Sequence, residues 1–141
     1  MNASRPSTSL MVEALAMVLA SSVVVRVTGL KVVGRAARRG VKVATISQDQ
    51  AAALVRAISA VSRRLPWRTL CFEQGLAAHW MLSRRQIRST LSYGAAMRAG
   101  ELEAHVWVRS GEIDVIGCDN AGDFAILSQF SNDPSSSLVQ P

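Results

Sequence analysis

The chain has 141 residues, of which 49% are hydrophobic and 18% are charged. This length suits one domain, and this composition excludes a wholly disordered chain, because such chains are poor in apolar residues and rich in charge. Two cysteines are too few for a disulfide framework or a four-thiolate zinc site. The net charge of +6 hides a split: residues 1–100 hold 15 basic and 3 acidic residues, whereas residues 101–141 hold one basic and seven acidic residues.

An apolar run from Ala14 to Val25 lies near the start of the sequence, directly after Glu13. Its twelve residues fall short of the roughly 20 that a membrane-spanning helix needs. Glu13 also interrupts the pattern of a signal peptide. We therefore interpret the run as part of a buried amphipathic helix. Without an export signal we expect a cytoplasmic protein, in which Cys71 and Cys118 are reduced thiols.

Helical spacing of apolar residues dominates the first 86 residues. Ser47 and Gln50 have the spacing of a capping box, in which two helix-end donors are satisfied reciprocally, and Pro66 ends the helix that follows. Cys71 begins a further helix of about four turns. The helices predicted in this way are residues 9–28, 30–39 (a short second helix or a continuation of the first), 51–64 and 71–86.

After Gln86 the apolar pattern changes from the helical period to a period of two, which indicates strands. A tight hairpin turn is predicted at Ser110 and Gly111. Helices followed by an antiparallel sheet give an α+β fold. The predicted strands are residues 87–94, 104–109, 113–117 and 124–127.

These patterns also predict the domain organisation. Residues 1–8 are expected to be flexible, and residues 131–141 to form a disordered tail. One domain is expected over residues 9–130, with a helical lead-in at 9–65 and a catalytic core at 66–130.

Three side-chain types that serve in nucleophilic catalysis occur in order along the predicted core. Cys71 lies at a helix start, where the helix dipole and free backbone donors favour a thiolate. His105 lies within a strand and is the better base, because His79 is two turns along the helix from Cys71. An acid that orients the imidazole could be Asp119, just after the third strand, or Asp114, which would share the face of His105 if the hairpin register sets His105 opposite Ile116.

The order Cys, His, Asp is that of the papain and transglutaminase type of site. Two motifs carry a more specific resemblance. The run Pro66-Trp67-Arg68-Thr69-Leu70-Cys71-Phe72 and the strand Glu103-Ala104-His105-Val106-Trp107-Val108 resemble the Cys and His motifs of the lasso-peptide leader peptidases. The resemblance extends over roughly residues 9–127 and implies a papain/transglutaminase-like fold.

The resemblance implies a cysteine endopeptidase that cuts the leader from a ribosomally made lasso-peptide precursor. An ATP-dependent macrolactam cyclase would then close the ring of the core peptide, and a small leader-binding protein would present the precursor. The short chain is similar to the stand-alone peptidase of a split system. Cys71 would be the nucleophile and His105 the general base, and neither a metal nor an organic cofactor is implied.

The chain departs from the family pattern at the third catalytic position. The family has an Asp just after an apolar strand, and the corresponding segment here aligns Cys118 with that position. Asp119 is one residue late, so we take Asp119 as the third residue by its position and Asp114 as the alternative by its strand face.

A second function class stays open at this stage. The basic half could form a non-enzymatic module that binds nucleic acid or an anionic membrane surface. No nucleic-acid motif is present and only 5% of residues are aromatic, which argues against nucleic acid. Weak membrane association through the N-terminal helix is compatible with the peptidase interpretation.

Overall fold

The computed structural model describes residues 5–28 and 44–133. Within these residues, helices precede a four-stranded antiparallel sheet, which confirms the predicted α+β fold. The predicted helix at 30–39 and residues 134–141 of the predicted disordered tail lie outside the described residues. The start of that tail is ordered, because Ser131 ends the last strand and the buried Asn132 accepts the Ser89 N–H at 2.7 Å through its side-chain oxygen. The helices are α1 (Thr8–Thr28), α2 (Gln48–Arg64) and α3 (Cys71–Arg84). The strands are β1 (Thr90–Arg98), β2 (Glu101–Ser110), β3 (Ile113–Ile116) and β4 (Ala125–Ser131), with a short 3-10 helix at Ala121–Asp123.

The predicted capping box starts α2. The Gln50 N–H donates to the Ser47 hydroxyl at 3.2 Å, and the Ser47 N–H donates to the Gln50 side-chain oxygen at 3.1 Å. The helix ends at Arg64, one residue before the Leu65–Pro66 pair. Here local sequence chemistry alone determines both ends of an element.

Helix α1 differs from the expected amphipathic helix, because it is apolar on its outer face as well as its inner face. Ala14 and Val18 are fully buried in the core that α1 shares with α2 and α3. Residues 8–27 nevertheless have a mean hydropathy of 2.0 with only 22% of the residues buried. By length and composition alone this helix could cross a membrane, so the prediction that the segment is too short is wrong. The run from Ala14 to Val25 underestimates the length of the apolar helix, because apolar residues also precede Glu13.

The sheet has the strand order β3-β2-β1-β4. The two-residue turn between β2 and β3 is Gly111 and Glu112, one residue later than predicted, because Ser110 pairs with Ile113. A bulge between Val108 and Arg109 then shifts the register, so that Val108 is the partner of Ile116. The predicted pairing of His105 with Ile116 is therefore wrong.

The two faces of the sheet have separate cores. Val106 and Val108 of β2 belong to the main core, which includes residues from all three helices. Trp107 points to the other face, where it forms a small cluster with Ala121 and Phe124. Side chains alternate between the two faces of a strand. One face of β2 therefore packs on the helices, and the other face is covered by residues 117–124.

Candidate active site

Cys71 is the first residue of α3 and its side chain is exposed. The turn before it is held by two side chains of the first helical turn. Glu73 accepts the Leu70 N–H at 3.2 Å, and the Gln74 amide donates to the Thr69 hydroxyl at 3.1 Å. Within the described residues, the N–H groups of Cys71, Phe72 and Glu73 make no hydrogen bond to another backbone group. The first N–H groups of any helix lack partners within that helix. Here they belong to the turn that begins with Cys71, and they could bind an oxyanion that develops next to its thiol.

A close approach between Gly75 and β2 fixes how α3 crosses the sheet. A Cβ atom on Gly75 would lie 2.7 Å from Val106 Cγ1. Phe72 makes an edge contact with Tyr93, whose partner across the sheet is Val106. Since Cys71 precedes Gly75 by one helical turn, this contact brings the helix start to the part of β2 that carries His105.

A buried carboxylate lies two residues after Cys71. Glu73 is 1% exposed, and its second oxygen forms an ion pair with Arg26 of α1 at 3.7 Å. The Arg26 guanidinium also lies over the Trp67 ring, 5.5 Å from its centroid. These contacts connect α1 to the turn before Cys71. The sequence offered one signal for this role, an acid at the third helical position, which is typical of a capping residue.

His105 lies on the side of β2 opposite α3. Its ring stacks on Trp107 at 5.9 Å and contacts Phe124 at 4.9 Å between centroids. Its Nε2 lies 2.7 Å from the Gly117 carbonyl oxygen. Because a carbonyl can only accept, Nε2 carries the proton, and Nδ1 of the neutral ring is left as the basic atom. Within the described residues, Cys71 and His105 make no hydrogen bond or ring contact with each other.

Neither acid predicted as the third residue contacts His105. Asp114 is exposed and forms an ion pair with Arg109 at 2.7 Å. The two residues are direct cross-strand partners, so Asp114 is not the diagonal neighbour of His105 that was expected. Asp119 is exposed, and no hydrogen bond or ion pair joins it to the described part of the chain. The acceptor for the imidazole is the backbone of Gly117, whose φ of 73° is the conformation that glycine favours. A glycine directly after a strand was the available signal in the sequence.

Cys118 differs from Cys71 in exposure and in chemistry. Its Sγ donates to the Val108 carbonyl at 3.3 Å, and it packs beside the Trp107 cluster. Burial raises the pKa of the Cys118 thiol, and the negative charge of Asp114 raises it further. The pKa of the Arg109 guanidinium is also raised, chiefly by its hydrogen bond to Asp114. A raised thiol pKa disfavours a nucleophilic role, so Cys71 stays the candidate nucleophile.

A groove of about 340 Å³ adjoins the turn before α3. Thr69 and Gln74, which hold this turn, line one part of it, and Arg63 and Arg68 line another. In the described part of the chain no carboxylate forms an ion pair with either arginine. Among residues 5–28 and 44–133, no group of three or more His, Cys, Asp or Glu side chains could hold a metal ion.

The comparison with protein families finds one match that covers most of the chain. The model of the transglutaminase-like superfamily matches residues 14–129. No curated protein and no solved structure matches the chain. The matched region includes all three helices from Ala14 onward, Cys71, His105 and the sheet through Gln129. The chain therefore belongs to the transglutaminase-like superfamily.

Proposed function

We propose that this protein is a cytoplasmic cysteine endopeptidase that removes the leader from a ribosomally made lasso-peptide precursor. Membership of the superfamily supports a cysteine peptidase in general. The leader specificity rests on the sequence motifs around Cys71 and His105. The observation that carries the proposal is the exposed thiol of Cys71 at the first position of a helix whose initial N–H groups lack backbone partners.

In the proposed reaction the Cys71 thiolate attacks the carbonyl carbon at the leader–core junction. The N–H groups at the start of α3 bind the oxyanion, a contact worth about 3–4 kcal/mol in acyl-transfer sites. The imidazole of His105 takes the thiol proton and gives it to the leaving amine of the core peptide. Water then hydrolyses the thioester and releases the leader. No metal or organic cofactor takes part in these steps.

The proposal requires a change at His105. Its ring lies on the side of β2 opposite α3, where it contacts Trp107 and Phe124, so a rearrangement must release these contacts and bring the imidazole to Cys71. Before this rearrangement the Nε2–H group donates to the Gly117 carbonyl, which leaves Nδ1 as the proton-accepting atom of the ring. Asp119 is the first choice and Asp114 the second for a carboxylate that stabilises the resulting imidazolium.

The precursor would extend from Cys71 along the groove beside the turn. Arg63 and Arg68 make this groove basic, so acidic residues near the cleavage site would be favoured there. A small leader-binding protein would present the precursor, and an ATP-dependent macrolactam cyclase would use the released core peptide. Both are proposed partners.

The test is cleavage of the precursor in the presence of the leader-binding protein, followed by mass spectrometry. Cys71→Ala should abolish cleavage, and His105→Ala should lower its rate by at least 100-fold. Cys118→Ala is the matched control and should keep most of the activity, because that thiol is half-buried. Cleavage by the Cys71→Ala protein at the wild-type rate would overturn the proposal. Comparing Asp119→Asn with Asp114→Asn identifies the carboxylate that assists His105.

A further inference from the structure

The outer face of α1 carries a row of exposed aliphatic side chains. Their spacing of three or four residues places them on one side of the helix. We call this row the apolar stripe. It consists of Val12 (61% exposed), Leu15 (41%), Leu19 (37%), Val23 (60%) and Val27 (75%).

The apolar stripe belongs to a helix that is unusually apolar for its exposure, because residues 8–27 have a mean hydropathy of 2.0 and only 22% of them are buried. Single exposed aliphatic residues are common on soluble proteins, whereas a row of them along one helix face is what an interfacial helix presents to a bilayer. From Val12 to Val27 the stripe is about 22 Å long, at 1.5 Å per residue. None of its members is charged, and the opposite face of α1 is buried against α2 and α3. The helix is therefore fixed to the domain with this face outward.

A second copy of the chain fits the stripe poorly. A row about 22 Å long and one helix wide, about 10 Å, covers roughly 200 Å², whereas a stable interface needs about 800 Å² from each partner. The charges beside the stripe are also unfavourable for self-association. Glu13 is already paired with Arg84 and Arg85, which leaves the neighbourhood basic.

The stripe contains only Val and Leu, whereas the residues that dominate protein–protein interfaces are Trp, Tyr and Arg. The chain that follows α1 also has a distinct charge. Residues 29–43 contain five Lys or Arg residues (Lys31, Arg35, Arg38, Arg39 and Lys42) and no acidic residue. An apolar helix face joined to a basic segment is the combination that binds anionic lipid surfaces.

We propose that the apolar stripe binds an anionic phospholipid bilayer, with α1 lying in the plane of the interface. The inner face of α1 stays packed in the domain core, because Ala14 and Val18 are fully buried there. The stripe inserts among the acyl chains near the headgroups, and the anionic surface attracts the positive charge that the sequence carries directly after α1. This proposal is independent of the peptidase reaction.

The experiment is flotation of the full-length protein with vesicles of phosphatidylcholine, alone or with 30 mol% phosphatidylglycerol. We expect at least tenfold more binding to the anionic vesicles, and a loss of that difference at high salt. Val12→Glu/Val23→Glu should lower the binding at least tenfold. Leu102→Glu/Ile126→Glu places the same charges at exposed aliphatic positions of the sheet (72% and 55% exposed) and should stay within twofold of wild type.

Two further variants separate apolar contact from charge. Val12→Ser/Val23→Ser adds no charge and should still weaken binding severalfold, whereas Arg38→Gln/Arg39→Gln should weaken binding to anionic vesicles only. Circular dichroism melting confirms that each variant is folded.

Three results would overturn the proposal. The first is equal binding of the stripe and sheet variants. The second is a lipid-free dimer that Val12→Glu/Val23→Glu dissociates, which would assign the stripe to a second copy. The third is resistance of the bound protein to alkaline carbonate extraction, which would indicate a spanning helix.

Discussion

The contact between Gly75 and Val106 predicts an unusual response to the substitution Gly75→Ala. In most helix interiors this change stabilises a protein by about 1 kcal/mol, because alanine has the higher helix propensity. Here the new Cβ would lie 2.7 Å from Val106 Cγ1, and both residues are buried. Overpacking of this kind costs about 1–3 kcal/mol. We therefore expect a net loss of about 1 kcal/mol in the free energy of unfolding.

The sign should reverse when the obstructing methyl group is absent. Val106→Ala alone should cost about 2 kcal/mol, because Val106 is 2% exposed and its removal leaves a cavity. In that background Gly75→Ala should stabilise the protein by about 1 kcal/mol, since only the propensity gain is left. The two substitutions should therefore show a coupling energy of about 2 kcal/mol.

Urea unfolding of the four proteins of this cycle, followed by circular dichroism at 222 nm, measures the coupling. Gly122→Ala is the control, because a Cβ at Gly122 has no atom within 4 Å and the residue is exposed. Its unfolding free energy should change by less than about 0.5 kcal/mol. Stabilisation by Gly75→Ala in the wild-type background would refute the packing of α3 on β2, and with it the position of Cys71.

Three further changes test other contacts. Arg26→Ala removes the ion-pair partner of the buried Glu73. Because Arg26 is half exposed, we expect the free energy of unfolding in urea to fall by about 1–2 kcal/mol. Adding Glu73→Gln should restore part of this loss. Gly117→Ala should cost about 2 kcal/mol or more in the same assay, since its Cβ would meet the β2 backbone, whereas Gly100→Ala, with a similar φ and open space, should cost about 1 kcal/mol. Because burial raises the pKa of the Cys118 thiol above its ordinary 9.0, the folded state holds this proton longer than the unfolded state. Its stabilising contribution is complete below pH 9 and declines above it, so melting temperatures from pH 8 to 11 should fall more for wild type than for Cys118→Ala.

Features determined by short-range chemistry were predictable from the sequence. The capping box of Ser47 and Gln50 forms as expected, because its donors and acceptors are three residues apart. Cys71 begins α3, and α2 ends before Pro66. The strands were also found, although β1 begins at Thr90 and not at residue 87. The contacts that determine the helix ends lie within a few residues along the chain, whereas the strands were indicated by their period-two apolar pattern.

Features that depend on long-range register were not predictable to the same degree. The turn moves by one residue to Gly111 and Glu112, and the bulge after Val108 adds another shift. Moving the turn by one residue changes the partner of Asp114 from Trp107 to Arg109, which is two residues farther from His105 along β2. Asp114 therefore lies too far along the strand to be a diagonal neighbour of His105. The acceptor beside His105 is instead the Gly117 carbonyl, a backbone atom, for which the only signal in the sequence was a glycine directly after a strand.

The basic and acidic halves of the sequence lie in different parts of the fold. In the described sheet, Arg98 pairs with Glu103 and Asp123, and Arg109 pairs with Asp114, so the basic residues of these strands are neutralised locally. The described helices contain few acids, and most of their arginines have no acidic partner within the described residues. The excess positive charge is thus concentrated on the helical side, which also carries the apolar stripe. An anionic surface would therefore orient the protein with its helices toward that surface and its acidic sheet away from it. In that orientation the apolar stripe also faces the surface. The uneven charge and the exposed aliphatic residues of α1 therefore favour the same orientation, although they arise from different parts of the sequence.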